Sequence, residues 1–432
     1  MPETRAEFLR DESLLKLTLN SFRRVTRSGK FIPEVDGLRF IAIASVVLLH
    51  SYTCQLDRMV RGTNLSQTMT GMAPPPVDVR DPHGFLRLLD HGGYGVGVFF
   101  AISGFILAWP FAQQHLLARR KVALSSYFLR RITRLEPPYV LMLAFRAVLL
   151  LAAGVYDTRF VLVHLAASIL YVHNFVFGIA SRIEAVSWTL EIEVQFYCLA
   201  PALAMIYKIP RAWLRRALLI AIIASATPLQ RAFLPGWDGS QIAYGFNLSI
   251  LACIQFFLVG LLVADFYVDG WERIPHTWWW DAISIPLWLI LFWLRLDAFR
   301  FLGPLILPIV FVGAFKGTFI RAILRSPVIN TIGGMCYSIY LTHRTTILVI
   351  QLLLARLHLG FLFWLALSLL VVAPLSVAVG AVYFLLIERP CMDPRWPNKL
   401  IALFRSGAPS RLQAAAPHAC PPPPGQDAPV DL

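Results

Sequence analysis

Apolar stretches of membrane-spanning length recur along the whole chain. They fall at about residues 38–54, 94–112, 136–154, 186–207, 213–230, 243–264, 281–296, 299–316, 334–354 and 362–386. A bilayer core of ~30 Å asks for roughly 20 helical residues. Only helices or closed barrels satisfy their backbone polar groups at that depth. The pattern therefore predicts an all-α fold, a polytopic integral membrane bundle of about ten transmembrane helices. A further apolar run at 161–178 is interrupted by His164, His173 and Asn174. Counted as a full span it would put the next basic loop outside the cell, so it reads as a short re-entrant or interfacial hairpin.

Charge then orients the bundle. The chain has 39 Lys and Arg against 25 Asp and Glu, a net charge of +14, in a sequence that is 57% hydrophobic. In a soluble chain such a balance points to nucleic acid, but here the positives sit in short segments between spans and no nucleic-acid motif accompanies them. The groups are Arg119, Arg120, Lys121, Arg130, Arg131 and Arg134; Lys208, Arg211, Arg215 and Arg216; and Lys316, Arg321 and Arg325. Read as cytoplasmic, they place the N- and C-termini in the cytoplasm. The 265–280 loop departs from this, with Asp265, Asp269 and Glu272 against Arg273. Acidic residues weigh little in the orientation rule.

Residues 1–33 read as a cytoplasmic or interfacial segment lying near anionic membrane lipids. Residues 34–395 form the membrane domain, and 396–432 a proline-rich, disordered cytoplasmic tail. The N-terminus has no signal-peptide pattern. Six scattered cysteines support neither a disulfide scaffold nor a metal site.

Ionisable groups at membrane depth are functional candidates because burying them there is costly. Arg39 and His50 are eleven residues apart. At about 100° per residue they share a helix face, roughly 16 Å apart along the axis. His50 is a general-base candidate, since an imidazole near neutrality takes and returns a proton. A hydrogen-bonded core histidine is the alternative. Glu193 is set to orient a histidine or arginine, or else to form a buried structural ion pair. Glu191, two residues earlier, points about 200° away, so the two carboxylates cannot share one site. His343 shares a face with Tyr340 and is a second positioning group or a packing residue. Arg131 and Arg134 are one turn apart and sit level with Arg39. Ordinary positive-inside charge explains such arginines singly, but three from two helices suit a phosphate-rich ligand, which guanidinium forks bind bidentately. Gly93, Gly95, Gly97, Ser103 and Gly104 permit close helix approach or a narrow substrate groove.

These residues also carry a pattern. Asp36-Gly-Leu-Arg39 with His50, the run Gly95 to Phe105, Arg131-Ile-Thr-Arg134 with Pro138-Tyr139, Ser187-Trp188 to Glu193 and Tyr197, Tyr337 to His343, and Glu388-Arg-Pro390 occur in order across about residues 33–395. Together they resemble the motifs of the membrane-bound acyltransferase-3 family, integral membrane O-acyltransferases of bacterial glycan- and carbohydrate-modifying type. Thr189 stands where serine is usual, Val194 where a second glutamate is frequent, and Arg344 where an aromatic is common.

The resemblance implies transfer of an acyl group, acetyl most often, from cytoplasmic acyl-CoA to a hydroxyl of a carbohydrate or glycolipid acceptor, without a metal. Arg39, Arg131 and Arg134 would hold the donor phosphates. His50 and Glu193 would act in catalysis, and Asp36, Trp188, Tyr197, Tyr340 and His343 would line the substrate site. A transporter or flippase of a glycan or anionic metabolite, O-acylation of a non-glycan small molecule, and a non-catalytic membrane partner remain as rival readings. Against the transporter, the chain shows no repeated halves.

Overall fold

The computed structural model describes residues 32–61, 86–233, 248–354, 360–393 and Trp396. The described residues are helical throughout, apart from turns and short connections. Helix α1 spans Pro33–Arg61, α2 Gly95–Leu116, α3 Leu124–Ala152 and α4 Thr158–Ile169. They are followed by α5 at Trp188–Leu203, α6 at Ala212–Phe233, α7 at Ile250–Val268, α8 at Trp279–Trp293 and α9 at Leu296–Lys316. The chain continues with α10 at Pro327–Gly334, α11 at Cys336–Leu353 and α12 at Leu362–Cys391.

Among the described residues, eight helical stretches are long and apolar enough to cross a membrane. The protein is thus an all-α polytopic membrane bundle. Two of the ten expected spans fall outside that class for different reasons. Helix α8 has only 15 residues. Helix α11 has 18 residues, but His343, Arg344, Gln351 and three threonines dilute its apolar character. The 161–178 run is a helix, α4, followed by a turn and the short helix His173–Phe177, so neither part has the length of a span. The N-terminal 1–31 segment and nearly all of the 396–432 tail lie outside the described residues.

The glycine-rich helix α2 sits at the centre, packed against α7 on one side and α1 on the other. Its glycines are used for backbone contact. A Cβ at Gly104 would overlap the Phe257 backbone, and one at Gly95 would overlap Ala42 and Ser45 of α1. The aromatic rings of Phe100, Phe196 and Phe257 stack across this junction, with centroids 4.6 and 4.1 Å apart.

Helix α3 starts twelve residues earlier than its apolar run suggests and continues through Pro137 and Pro138. Prolines inside a helix remove N–H donors and free the carbonyls one turn back, and neighbouring side chains must take them. The indole N–H of Trp396 donates to Thr133 O at 3.1 Å. The hydroxyls of Tyr337 and Tyr383 brace the same stretch by donating to carbonyls the prolines do not free, Leu135 O at 2.8 Å and Pro138 O at 2.5 Å. This continuity fixes Arg131 and Arg134 on a rigid helix instead of in a loop.

Candidate active site

A cavity of about 930 Å³, counting its open mouth, lies between α1, α2, α3, α5 and α11. Arg39 of α1 and Arg131 and Arg134 of α3 line it together. The three-residue spacing of the last two puts both guanidiniums on one helix face. Arg39 Nη1 donates to Asp36 Oδ1 at 2.5 Å, so Asp36 holds an arginine and does not itself line the cavity. Arg134 Nη2 donates to Glu388 Oε1 at 3.2 Å, while Glu388 Oε2 accepts from the Ser338 hydroxyl at 2.6 Å. Glu388 closes a π-helical turn, Phe384–Glu388, and such widened turns re-aim a side chain.

Arg131 has no carboxylate partner among the described residues; its guanidinium lies 5.9 Å from the Tyr127 ring. The Nε donors of Arg131 and Arg134 are buried without an acceptor. Leaving a buried donor unpaired costs about 1–3 kcal/mol. The cluster is therefore suited to receive oxygen-rich anionic groups, for which guanidinium forks are matched.

The opposite wall of the cavity is the non-glycine face of α2. Val96, Phe99, Ser103 and Ile106 recur at three- and four-residue intervals and all line the space, while none of the α2 glycines does. Close helix approach, not a glycine groove, is what the small residues provide. Ser103 Oγ donates to Glu193 Oε1 at 2.8 Å, and Tyr197, one turn on, lines the cavity beside Glu193. Glu191 faces away, and its Oε2 accepts from the backbone N–H of Asn174 at 2.8 Å. Trp188 is not in the cavity wall; it packs against the main core, and its carbonyl accepts from Asn174 Nδ2 at 3.2 Å.

Tyr340 and Thr189 also line the cavity. Their hydroxyl oxygens are 2.7 Å apart, and they donate to Val186 O at 2.7 and 3.2 Å respectively. Beyond Tyr340 lies His343, with ring centroids 5.6 Å apart, and then His50, 5.2 Å from His343. The Nδ1 of His343 is 2.7 Å from Tyr340 O. A carbonyl only accepts, so in the neutral ring this nitrogen carries the hydrogen and Nε2 the lone pair. That Nε2 is buried without a partner among the described residues. His50 is thus half of a histidine pair, set behind Tyr340 and outside the cavity wall itself.

Phe99, the bond from Ser103 to Glu193 and the partnership of Arg134 with Glu388 were not singled out by sequence reasoning, which named Ser103 only as one of the small residues of α2. The three- to four-residue spacing of Val96, Phe99, Ser103 and Ile106 carried a usable signal; a contact spanning 254 positions did not. The described residues contain no group of three or more His, Cys, Asp or Glu able to hold a metal ion.

Long apolar helices closing around arginines and a carboxylate, with a histidine pair behind Tyr340, define an integral membrane protein with charged groups facing an internal cavity. Residues 32–383 match the family described as acyltransferase domain, acyltransferase-3, and the chain belongs to that family of acyltransferase enzymes. It is similar to the peptidoglycan O-acetyltransferase OatA of Listeria monocytogenes, with 26% identity covering 52% of this chain and 33% of the relative. Nodulation protein 10 of Rhizobium leguminosarum is 26% identical over 70% of this chain and 82% of the relative. A Staphylococcus aureus protein provisionally named an O-acetyltransferase is 25% identical over 73% of this chain and 50% of its own length. The chain thus spans one third to one half of two of these curated relatives. No solved structure matches it.

Proposed function

We propose that this protein transfers an acyl group, acetyl foremost, from cytoplasmic acyl-CoA to a hydroxyl of a carbohydrate-containing acceptor in or across a bacterial inner membrane. The observation that carries the reading is the convergence of Arg39, Arg131 and Arg134 on one cavity with buried N–H donors unspent. Those three bind the donor phosphates, and the thioester arm extends along the Phe99–Ser103 face toward Tyr340. The relatives named for O-acetylation support acetyl as the group and oxygen as its destination.

In the reaction, His50 takes the proton of the acceptor hydroxyl as its oxygen attacks the thioester carbonyl. The new C–O bond forms, the C–S bond breaks, and the imidazolium returns its proton to the leaving thiolate. His343 orients the His50 ring and completes its surroundings. Glu193, held by Ser103, sets the polarity of the chamber between arginines and histidines. Helices α8 and α11 complete a ten-span bundle with both termini in the cytoplasm, which cysteine-accessibility labelling of the connecting loops would test.

The test of function is transfer of labelled acetyl from acetyl-CoA by detergent-purified protein. Wild type should label an envelope glycan and lipid extract. His50→Ala should bind donor but lose transfer by 10²–10⁴-fold, the usual scale of general-base loss. Wild-type rates in the His50→Ala protein would show that the base lies elsewhere.

A further inference from the structure

The residue after His343 is not used by the chemistry above. Arg344 lies on α11, and its Nε is 4.0 Å from Glu184 Oε1. Glu184 is already engaged at its other oxygen by Arg146, at 3.2 Å, and both of these side chains are almost wholly buried. Arg344 keeps 21% of its side-chain surface open. Neither oxygen of Glu184 makes a hydrogen bond with good geometry. Arg182, two residues before Glu184, is half-buried with no carboxylate partner among the described residues. The next acid along, Glu191, is turned to Asn174. Arg146 and Arg344 thus share one loosely held carboxylate.

The location makes this surplus more telling. Arg146 lies twelve residues beyond Arg134 on α3, about 18 Å further along the helix. That is the end of the bundle away from the clustered basic loops, where the orientation rule disfavours unpaired cations. An arginine at such depth costs a few kcal/mol unless something uses it. Consecutive helix residues diverge by about 100°. His343 faces His50 while Arg344 faces Glu184, and the two flank a common corner beside the histidine pair.

We propose that Arg344 is the acceptor-recognition residue and seats an anionic group, a carboxylate or phosphate, of the glycan or glycolipid, setting the neighbouring hydroxyl against His50. The long contact to Glu184 is readily exchanged for a bidentate one. The inference rests on the acyl-transfer reading and narrows its acceptor to an acidic one.

The purified full chain would be given labelled acetyl-CoA and a total envelope glycan and glycolipid extract, with products separated by anion exchange. Label should appear in the retained, acidic fraction. Arg344→Gln should raise KM for that fraction tenfold or more while hydrolysis of the thioester by water persists. Arg344→Lys should recover part of the loss. Methyl esterification of the extract abolishes acceptance if the group is a carboxylate; mild acid removal of phosphate abolishes it if the group is a phosphate. Label confined to the neutral fraction, or an unchanged KM in Arg344→Gln, overturns the proposal. A wild type that consumes no thioester overturns acyl transfer itself, and this inference with it.

Discussion

Two arginine clusters look alike in the sequence and are used in opposite ways. Arg215 and Arg216 sit at the start of α6 and face Asp265 and Asp269 at the end of α7. Arg215 Nε donates to Asp265 Oδ2, and Arg216 Nε donates to Asp265 Oδ1 at 2.6 Å. Two cations meet two carboxylates there, and Asp265 and Arg215 are buried. In the cavity, Arg39 and Arg134 take Asp36 and Glu388 while Arg131 has no carboxylate. Glu193 shares the cavity, where it accepts from the Ser103 hydroxyl and borders Tyr197. Pairing inside the fold makes one cluster structural, and its incompleteness makes the other a receptor.

The pairing also explains the acidic 265–280 loop. Asp265 and Asp269 are neutralised by Arg215 and Arg216 at the head of α6, so these two carry no weight in orientation. Both loops lie at the same end of the bundle, as Lys316 does, where it stands 5.7 Å from the Trp271 ring.

The largest effect expected from breaking this comparison is at Asp265. Asp265→Ala leaves two arginines facing a single, half-exposed carboxylate, and losing one member of a buried pair costs about 3–5 kcal/mol. Thermal unfolding of the detergent-purified variant should show a strongly destabilised protein, with any folded remainder binding acyl-CoA normally. A variant as stable as wild type would remove the distinction between the clusters.

Arg131→Ala should do the reverse. No ion pair is broken, so the melting curve should stay close to that of wild type. Donor affinity should fall about 10- to 100-fold, the scale of a lost charge-assisted contact of roughly 1.5–3 kcal/mol. Arg131→Lys should recover charge but not the fork, and so restore affinity only partly. Equilibrium binding of acetyl-CoA measures both. Undiminished binding in Arg131→Ala would return this arginine to ordinary positive-inside charge.

A smaller effect belongs to Gly104, where a Cβ would meet the Phe257 backbone. Gly104→Ala should push α7 off α2 and cost about 1–3 kcal/mol, as overpacking does. Donor affinity should be reduced less than in Arg131→Ala, because the glycine face points away from the cavity. A large loss of affinity with unchanged stability would show that this face borders the donor after all.

Much of the site was legible in order but not in depth. The eleven-residue spacing of Arg39 and His50, the spacing of Arg131 and Arg134, and the opposed directions of Glu191 and Glu193 all follow from helix periodicity. Periodicity says nothing about which residues from distant helices meet. The His50 and His343 rings pair across 293 positions of sequence, and the Arg134 partner Glu388 reaches its place through a widened turn. Helix α11 was legible as an apolar run at 334–354, but the residues suited to chemistry there dilute the signal, so it falls outside the eight stretches apolar enough to cross a membrane. Proline placed the start of α3 wrongly for a similar reason: the carbonyl that Pro137 frees, that of Thr133, is answered by Trp396, far along the chain.

The finest test of the contrast is Ser103→Ala. Its hydroxyl donates to Glu193 Oε1 at 2.8 Å, and a neutral donor to a charged acceptor contributes about 1.5–3 kcal/mol when buried and less where the group borders a cavity that water can enter. If Glu193 were a structural ion, losing Ser103 should lower stability and leave turnover per folded molecule unchanged. If Glu193 shapes the chamber, stability should change by under about 1 kcal/mol while kcat falls several-fold and donor Kd holds, because the carboxylate reorients without leaving the cavity. Ser103→Thr keeps the hydroxyl and should preserve kcat, which separates the hydrogen bond from mere volume. A kcat unchanged in Ser103→Ala would place Glu193 with Asp265, among the carboxylates that only hold the bundle together.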